Sequence, residues 1–226
     1  MTGDERGACV VFDLDGVIVA SEHLWEEGWR RVSRAQGREW LEADTRECQG
    51  KSVPEWAHYL ADRSGLTPPQ ARDAVVAYVM DAYDNGEVPL LPHAAELVQG
   101  VSRRVPVGLA TSAPREVIDR VVARPELAGC FTATVSSAEV ARGKPSPDVY
   151  LAALEQLNGD PSRSFAVEDS SNGIRAAAAA GLRVIGIENP QYPVAEDAAR
   201  LATVILRSLL DVADRLFADL DREPAS

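Results

Sequence analysis

The stretch Val10-Val11-Phe12-Asp13-Leu14-Asp15-Gly16-Val17 constrains this chain more than any other. An apolar run ends on two carboxylates that bracket one residue, and a glycine follows. A strand sends its side chains to alternate faces, so residues two apart point the same way. Asp13 and Asp15 therefore start on one side of a strand end, where the backbone is about to turn. Like charges buried together are costly unless a cation or a shared proton compensates them. The bland alternative is a strand that stops at an acidic turn, and the rest of the chain has to decide between the two.

Short apolar runs alternate with amphipathic stretches along most of the sequence. Residues 105–110, 132–135, 164–167 and 183–187 read as further strands, and 203–206 as an edge strand. Helical patterns lie between them at 114–123, 146–157 and 171–180. Pro114 stands at a first-turn position, and the alanine-rich 171–180 stops at Gly181, a C-terminal signal. Strand–helix alternation of this kind predicts an α/β fold with a parallel sheet flanked by helices.

Residues 21–88 differ, with helical spacing and no convincing β run. Leu24, Trp25 and Trp29 share one helix with charged neighbours. Residues 53–64 and 68–83 read as two more, separated by Gly65-Leu66-Thr67-Pro68. The reading is an all-helical insert, residues 21–86, placed after the first strand. Residues 1–20 and 87–226 then form the α/β core, with Asp84-Asn85-Gly86 and Pro89 marking the return.

Three more features gather at strand ends. The run ending at Ala110 leads into Thr111-Ser112 with Pro114 opening a helix, which suits an anion cradle of hydroxyls and exposed N–H groups. A plain N-cap is the ordinary role of such hydroxyls. Lys144 is held between Gly143 and Pro145, so its charge is presented from a restricted loop. Phe165-Ala166-Val167 ends on Glu168-Asp169, a second acidic pair whose hard oxygens suit Mg2+. Ligand sites of open α/β sheets lie at this carboxyl end of the strands.

Taken together, Asp13-Leu14-Asp15-Gly16-Val17, Thr111, Lys144 in Gly-Lys-Pro, and Glu168-Asp169 resemble the four motifs of the haloacid dehalogenase-like hydrolase superfamily. The similarity covers nearly the whole chain, in order and spacing. The helical insert is similar to the small cap of the subgroup that contains β-phosphoglucomutase and phosphoglycolate phosphatase. The resemblance implies a Rossmann-like core and a phosphoryl-transfer enzyme. Asp13 would be the nucleophile that forms an aspartyl-phosphate. Asp15 would protonate the leaving oxygen and then activate water. Thr111 and the Ser112 N–H would bind phosphoryl oxygens beside the Gly16 turn, and Lys144 would screen Asp13 from the phosphate. Mg2+ would sit on the Asp13 carboxylate, the Asp15 carbonyl, Asp169 and Glu168. Gln49-Gly50-Lys51-Ser52 corresponds to the cap's specificity loop, where Gly50 allows close approach and Lys51 meets an anionic substrate.

Elementary electrostatics supports that assignment, because a carboxylate nucleophile repels a dianionic phosphate and needs positive charge between them. Within the superfamily, carbon–halogen dehalogenases lack an aspartate at the position of Asp15, so phosphoryl transfer is expected here. The mutases carry a histidine twelve positions after the nucleophile, where this chain has Trp25. Trp25 either stacks on the substrate or packs within the cap. The expected activity is a Mg2+-dependent phosphatase of a small phosphorylated metabolite. The alternatives are a sugar phosphate mutase and a non-catalytic binding module on the same fold. Ala20 departs from the usual aspartate, and Ser21 is expected to take over the start of the cap helix. His58 and His93 show no partner spacing.

The 226 residues are 46 % hydrophobic and 26 % charged, enough for one sizeable core with an insert. A net charge of -12 argues against nucleic acid or an anionic membrane as partner. Cys9, Cys48 and Cys130 form no C-x-x-C pair. They suggest neither disulfides nor a zinc site, and Cys9 reads as a small buried hydrophobe. Residues 1–7 are polar, without the apolar stretch of a signal peptide. The expectation is a cytoplasmic monomer.

Overall fold

The computed structural model describes residues 6–222, so the first residues of the polar N-terminal stretch lie outside it. Strand β1 (Val10–Phe12) is followed by five helices: α1 (Glu22–Ala35), α2 (Glu42–Cys48), α3 (Val53–Ser64), α4 (Pro68–Asp84) and α5 (Ala94–Ser102). Strands and helices then alternate through β2 (Val107–Thr111), α6 (Arg115–Val122), β3 (Ala133–Ser136), α7 (Asp148–Leu157), β4 (Phe165–Glu168) and α8 (Ser171–Ala179). The chain continues with β5 (Arg183–Ile187), α9 (Glu196–Ala199), β6 (Val204–Leu206) and α10 (Leu209–Leu220). All strands pair in parallel, in the order β3-β2-β1-β4-β5-β6. The Rossmann-like parallel sheet is the expected one.

Strand pleat divides the core. Val10 and Phe12 join Leu109, Phe165, Val167 and Ile185 on the face covered by α5, α6 and α10. Cys9 and Val11 join Ala110, Ala166 and Val184 on the face covered by α7 and α8. Both faces are buried, which is why the strands read as continuous apolar runs. Cys9 is fully buried as expected, and burial pushes its thiol pKa up.

Several boundaries move by one or two residues, and those of β2 and β4 bear on the site. Strand β2 begins after Pro106, which has no N–H to give, and it runs on through Thr111, paired with Ser136 of β3. Strand β4 likewise includes Glu168, paired with Gly186. Thr111 and Glu168 therefore belong to the ladder, which holds them more rigidly than a loop would. Pro114 is the N-cap of α6, one residue ahead of the expected first turn.

The region between β1 and α5 is all helical, as expected, with α2 in addition. Its seven residues carry four charges and no apolar period, so no pattern announces it. It is held by the Asp44 carboxylate, which accepts from Leu41 N at 2.8 Å, Tyr59 Oη at 2.6 Å and Arg63 Nη2 at 2.8 Å. Helix α1 buries Leu24, Trp25, Trp29 and Val32 against α3 and α4. Ser21 does not cap it through its side chain. Ser21 is still the N-cap residue, as expected, and its carbonyl accepts from Leu24 N at 2.9 Å, but its hydroxyl is bound elsewhere.

Candidate active site

The hydrogen-bond ladder aligns three strand ends. Phe12 is level with Leu109 on one side and Val167 on the other, so the next residues emerge together. Asp13 N donates to Val167 O at 3.0 Å, which fixes the Asp13 backbone against β4. The carboxylates of Asp13, Glu168 and Asp169 then converge, each offering an oxygen within 4.8 Å of the others, and all three are buried. Lys144 is also buried, and its Nζ lies 2.6 Å from Asp13 Oδ1 and 2.6 Å from Glu168 Oε1. The loop that brings it there contains a cis Lys144-Pro145 peptide.

Charge is badly balanced in this cluster. Burial pushes the Asp13 carboxyl well above its usual range; Lys144 opposes this, and Glu168, Asp169 and Asp15 add to it. Burial and the neighbouring Glu22 push Asp169 up in the same way. Burial alone would lower the Lys144 pKa, but Asp13 and Glu168 outweigh it and the net direction is upward. One ammonium faces several carboxylates, and such a deficit of positive charge is what a divalent cation fills.

The local cradle fits such an ion. A Cβ on Gly16, where φ is +76°, would stand 2.0 Å from Asp169 Oδ2. A Cβ on Gly173 would stand 1.8 Å from Glu168 Oε1. Both glycines are there because a carboxylate occupies the space a side chain would take. Asp13 and Asp169 face the open cavity, whereas Glu168 lies behind them with no exposure. Glu168 already accepts from Lys144, from Tyr150 Oη at 2.7 Å and from Ser170 N at 3.2 Å. Replacing Gly16 by alanine is expected to displace Asp169 and weaken divalent-ion binding about tenfold or more, read by titration calorimetry.

Asp15 lines the same cavity but is turned toward α1. Its Oδ1 accepts from the Ser21 hydroxyl and from Trp25 Nε1 at 2.9 Å. Burial raises its pKa against these two donors, which pull the other way. Trp25 is thus neither a free stacking platform nor mere filler. It positions Asp15 while its ring lies 6.2 Å from that of Trp56.

Thr111 is fully buried and lines the cavity with Ser112 and Ala113. Thr111 Oγ1 accepts from Ala113 N at 3.0 Å, so its own hydrogen is free to point outward. Ser112 Oγ is buried without a hydrogen-bond partner among the described residues. Gln49, Gly50 and Lys51 reach the opposite wall. Gly50, with φ +70°, packs over Asn172, 3.3 Å from Nδ2 for a Cβ built there. Lys51 Nζ is paired with Glu47 at 2.5 Å, so its charge is partly spent. His23, His58 and His93 are exposed and stand outside this lining.

Two participants escape sequence reasoning. Asn189 Nδ2 bridges Glu22 Oε1 at 2.6 Å and Asp169 Oδ2 at 2.8 Å. Asn189 follows the carboxyl end of β5, so applying the strand-end rule to that strand as well would have found it. Glu22 had no such signal, because an acid in a first helical turn is commonplace. Burial lifts the Glu22 carboxyl from 4.5 to about 7, with Asp15 and Asp13 adding to it. The folded protein therefore holds this proton where the unfolded chain has released it. Stability of the metal-free protein is expected to fall as pH rises from 4.5 to about 7, by up to about 3 kcal/mol. Saturating divalent ion should flatten that slope, as urea titrations along a pH series with and without chelator would show.

Comparisons with known proteins agree with one another on family and fold. The family model described as "Hydrolase: haloacid dehalogenase-like hydrolase" matches residues 8–181. Validoxylamine A 7'-phosphate phosphatase of Streptomyces hygroscopicus subsp. limoneus is 31 % identical over 204 residues, covering 89 % of this chain and 94 % of that protein. The bifunctional riboflavin kinase/FMN phosphatase of Arabidopsis thaliana is 30 % identical over 207 residues, 91 % of this chain and 54 % of that protein, so the chain spans about half its length. A crystal structure of a CbbY mutant from Rhodobacter sphaeroides in complex with xylulose-(1,5)bisphosphate superimposes with a TM-score of 0.77 at 25 % identity, covering 89 % of this chain and 94 % of that one.

Proposed function

The chain belongs to the haloacid dehalogenase-like hydrolases, and on that premise we propose that it is a Mg2+-dependent phosphatase of a small phosphorylated metabolite, working through an aspartyl-phosphate. One observation carries the reading. The Asp13 carboxylate stands at the mouth of a buried acidic cluster, ion-paired to Lys144 and facing a cavity lined also by Asp15, Thr111 and Ser112. That is the full set of groups the chemistry needs, in one place.

Asp13 attacks phosphorus in line, and the ester oxygen departs. Asp15, whose burial favours its protonated form, gives that oxygen its proton. The phosphoryl group now sits on Asp13, so one hard displacement has become two easier ones. Asp15, now ionised, takes a proton from water, which attacks phosphorus and frees Asp13. Through both steps Thr111 Oγ–H and the backbone N–H of Ser112 hold phosphoryl oxygens, and Lys144 opposes protonation of Asp13 and screens it from the phosphate. Mg2+, held by Asp13, Asp169 and the Asp15 carbonyl with Glu168 behind them, would neutralise charge between nucleophile and phosphate.

Residues 21–86 act in this reading as a cap over a core of 1–20 and 87–226. The cap supplies Trp25, Glu22 and the loop from Gln49 to Ser52, and it excludes water during transfer. The mutase alternative is weaker, because Trp25 stands in the histidine's position and its one hydrogen-bond donor is occupied by Asp15. The binding-module alternative lacks support, because every catalytic position keeps its chemistry. Three free cysteines and a net charge of -12 accord with a cytoplasmic enzyme, acting as a monomer without nucleic acid. No described helix is long and apolar enough to cross a membrane.

The test is turnover of p-nitrophenyl phosphate with and without Mg2+. Hydrolysis should require the ion, and its absence in folded protein would overturn the proposal. Replacing Asp15 by asparagine should cost about 10²- to 10⁴-fold with alkyl phosphates. In kcat/KM, which reports only the first displacement, the loss should be smaller with p-nitrophenyl phosphate, whose leaving group needs little protonation, whereas kcat should stay low with both because Asp15 also activates the water.

A further inference from the structure

Two residues outside the four motifs, Asn189 and Glu22, join the acidic cluster from opposite sides. Asn189 lies two residues beyond β5, and Glu22 opens α1. The Asn189 side chain is locked by its own loop, because Oδ1 accepts from Gln191 N and from Tyr192 N, both at 3.2 Å. That fixes which end of the amide is which and turns the two hydrogens of Nδ2 the other way. One reaches Asp169 Oδ2 at 2.8 Å and the other Glu22 Oε1 at 2.6 Å. Both carboxylates fold over the Gly16 turn, where a Cβ would stand 2.0 Å from Asp169 Oδ2 and 3.1 Å from Glu22 Cδ.

The same loop takes hold of α1 a second time, since Tyr192 Oη donates to Glu26 Oε2 at 2.6 Å. Glu22 and Glu26 are one helical turn apart and share a face. Ser21 and Trp25, beside them in the chain, hold Asp15. The start of α1 is therefore seated on both flanks of the ion site, on Asp15 directly and on Asp169 through Asn189. Seating it is electrostatically costly. Glu22 adds a carboxylate to the cluster of Asp13, Glu168 and Asp169, and the group bonded to it, the Asn189 amide, is neutral. Lys144, the ammonium of this cluster, is spent on Asp13 and Glu168. A divalent ion beside Asp169 supplies the positive charge that the amide lacks.

We propose that Asn189 is a positioning residue that couples ion binding to the docking of α1. Its amide holds an ion ligand of the core and a carboxylate of the cap at once. An ion on Asp169 fixes that side chain and offsets the charge of Glu22, so α1 seats more firmly. By linkage, a seated α1 raises the affinity for the ion by the same factor. The inference rests on the metal and the cap of the proposed function and adds a link between them.

The test reads Mg2+ binding by titration calorimetry and α1 docking by solvent exchange of indole N–H groups in isotope-labelled protein. Neither readout needs turnover. Trp25 Nε1 donates at 2.9 Å to Asp15, so it is shielded only while α1 is docked. Trp40 Nε1 donates at 3.0 Å to Thr45 of the neighbouring α2 and serves as the internal control. In the wild type, Mg2+ should slow exchange at Trp25 by about tenfold and leave Trp40 unchanged. Asn189→Ala should weaken Mg2+ binding by about tenfold or more, the usual effect of losing a partner that orients a metal ligand, and abolish the slowing at Trp25. Glu22→Ala should do the same, and the double variant should lose no more than the larger single loss. Mg2+ binding and slowing that survive in N189A, or losses that add in the double variant, overturn the inference and leave the phosphatase reading standing. Faster exchange at both indoles alike marks plain destabilisation and overturns it too. Should N189A fail to fold, Glu22→Ala decides alone, since alanine suits a helix. If the wild type binds no Mg2+, the ion of the proposed function fails, and this inference with it.

Discussion

Replacing Asp13 by asparagine is expected to cut turnover by about 10⁴-fold or more without unfolding the protein. The activity argument is direct, since an amide cannot serve as the phosphoryl acceptor. The stability argument comes from the cluster. Asp13 is pushed upward by its burial and by three neighbouring carboxylates. Removing it relieves that repulsion, and Lys144 keeps Glu168 as partner at 2.6 Å. The metal-free variant should therefore melt at or above the wild-type temperature. Rapid quenching of the wild type, followed by mass analysis, should find one phosphoryl group on the peptide carrying Asp13. Residual turnover near the wild-type rate, or phosphate found on another residue, would sink the covalent mechanism.

Lys144→Met should have the larger effect on stability. Lys144 is buried, and it is the only cation in contact with Asp13 and Glu168 among the described residues. Deleting one partner of a buried ion pair leaves charge uncompensated and typically costs about 3–5 kcal/mol. The position is worse than a simple pair, because one ammonium serves two carboxylates. Domains of this kind are stable by only about 5–15 kcal/mol, so much of the margin would go. The sign with pH follows from the direction of each shift. With Lys144 gone, Asp13, already pushed upward by burial, can relieve the strain by taking up a proton, so the variant should be least impaired at acid pH and most impaired above neutrality. Urea unfolding of variant and wild type at several pH values, in chelator, checks this. A destabilisation that does not grow with pH would refute the charge-deficit account of the site.

These two results bear on different levels of the molecule, and so did the legibility of the site. The acidic strand ends were readable because strand pleat and strand-end placement follow from local rules. Asp13, Thr111, Glu168 and Asp169 needed only a parallel sheet to bring them together, and alternating apolar runs predict such a sheet. The Lys144 loop was legible as a restricted loop but not as a buried one, because only packing against β1 and β4 strips it of water. Trp25 had two readings in the sequence, stacking or packing. It packs within the cap, as the second reading had it, and its hydrogen bond to Asp15 goes beyond both, because that depends on how α1 is docked over the strand end.

Chain order and side-chain chemistry by themselves determined the parallel sheet, the helical stretch after its first strand and the acidic strand ends, since each depends on periodicity or on neighbours a few residues away. Only the tertiary structure decided that Asp13 and Glu168 share one cation, that Ser21 and Trp25 hold Asp15, and that Lys51 is paired with Glu47. Those properties depend on burial and docking, and at the centre of the site on residues far apart in the chain: Lys144 meets Asp13 across 131 positions, and Asn189 meets Glu22 across 167.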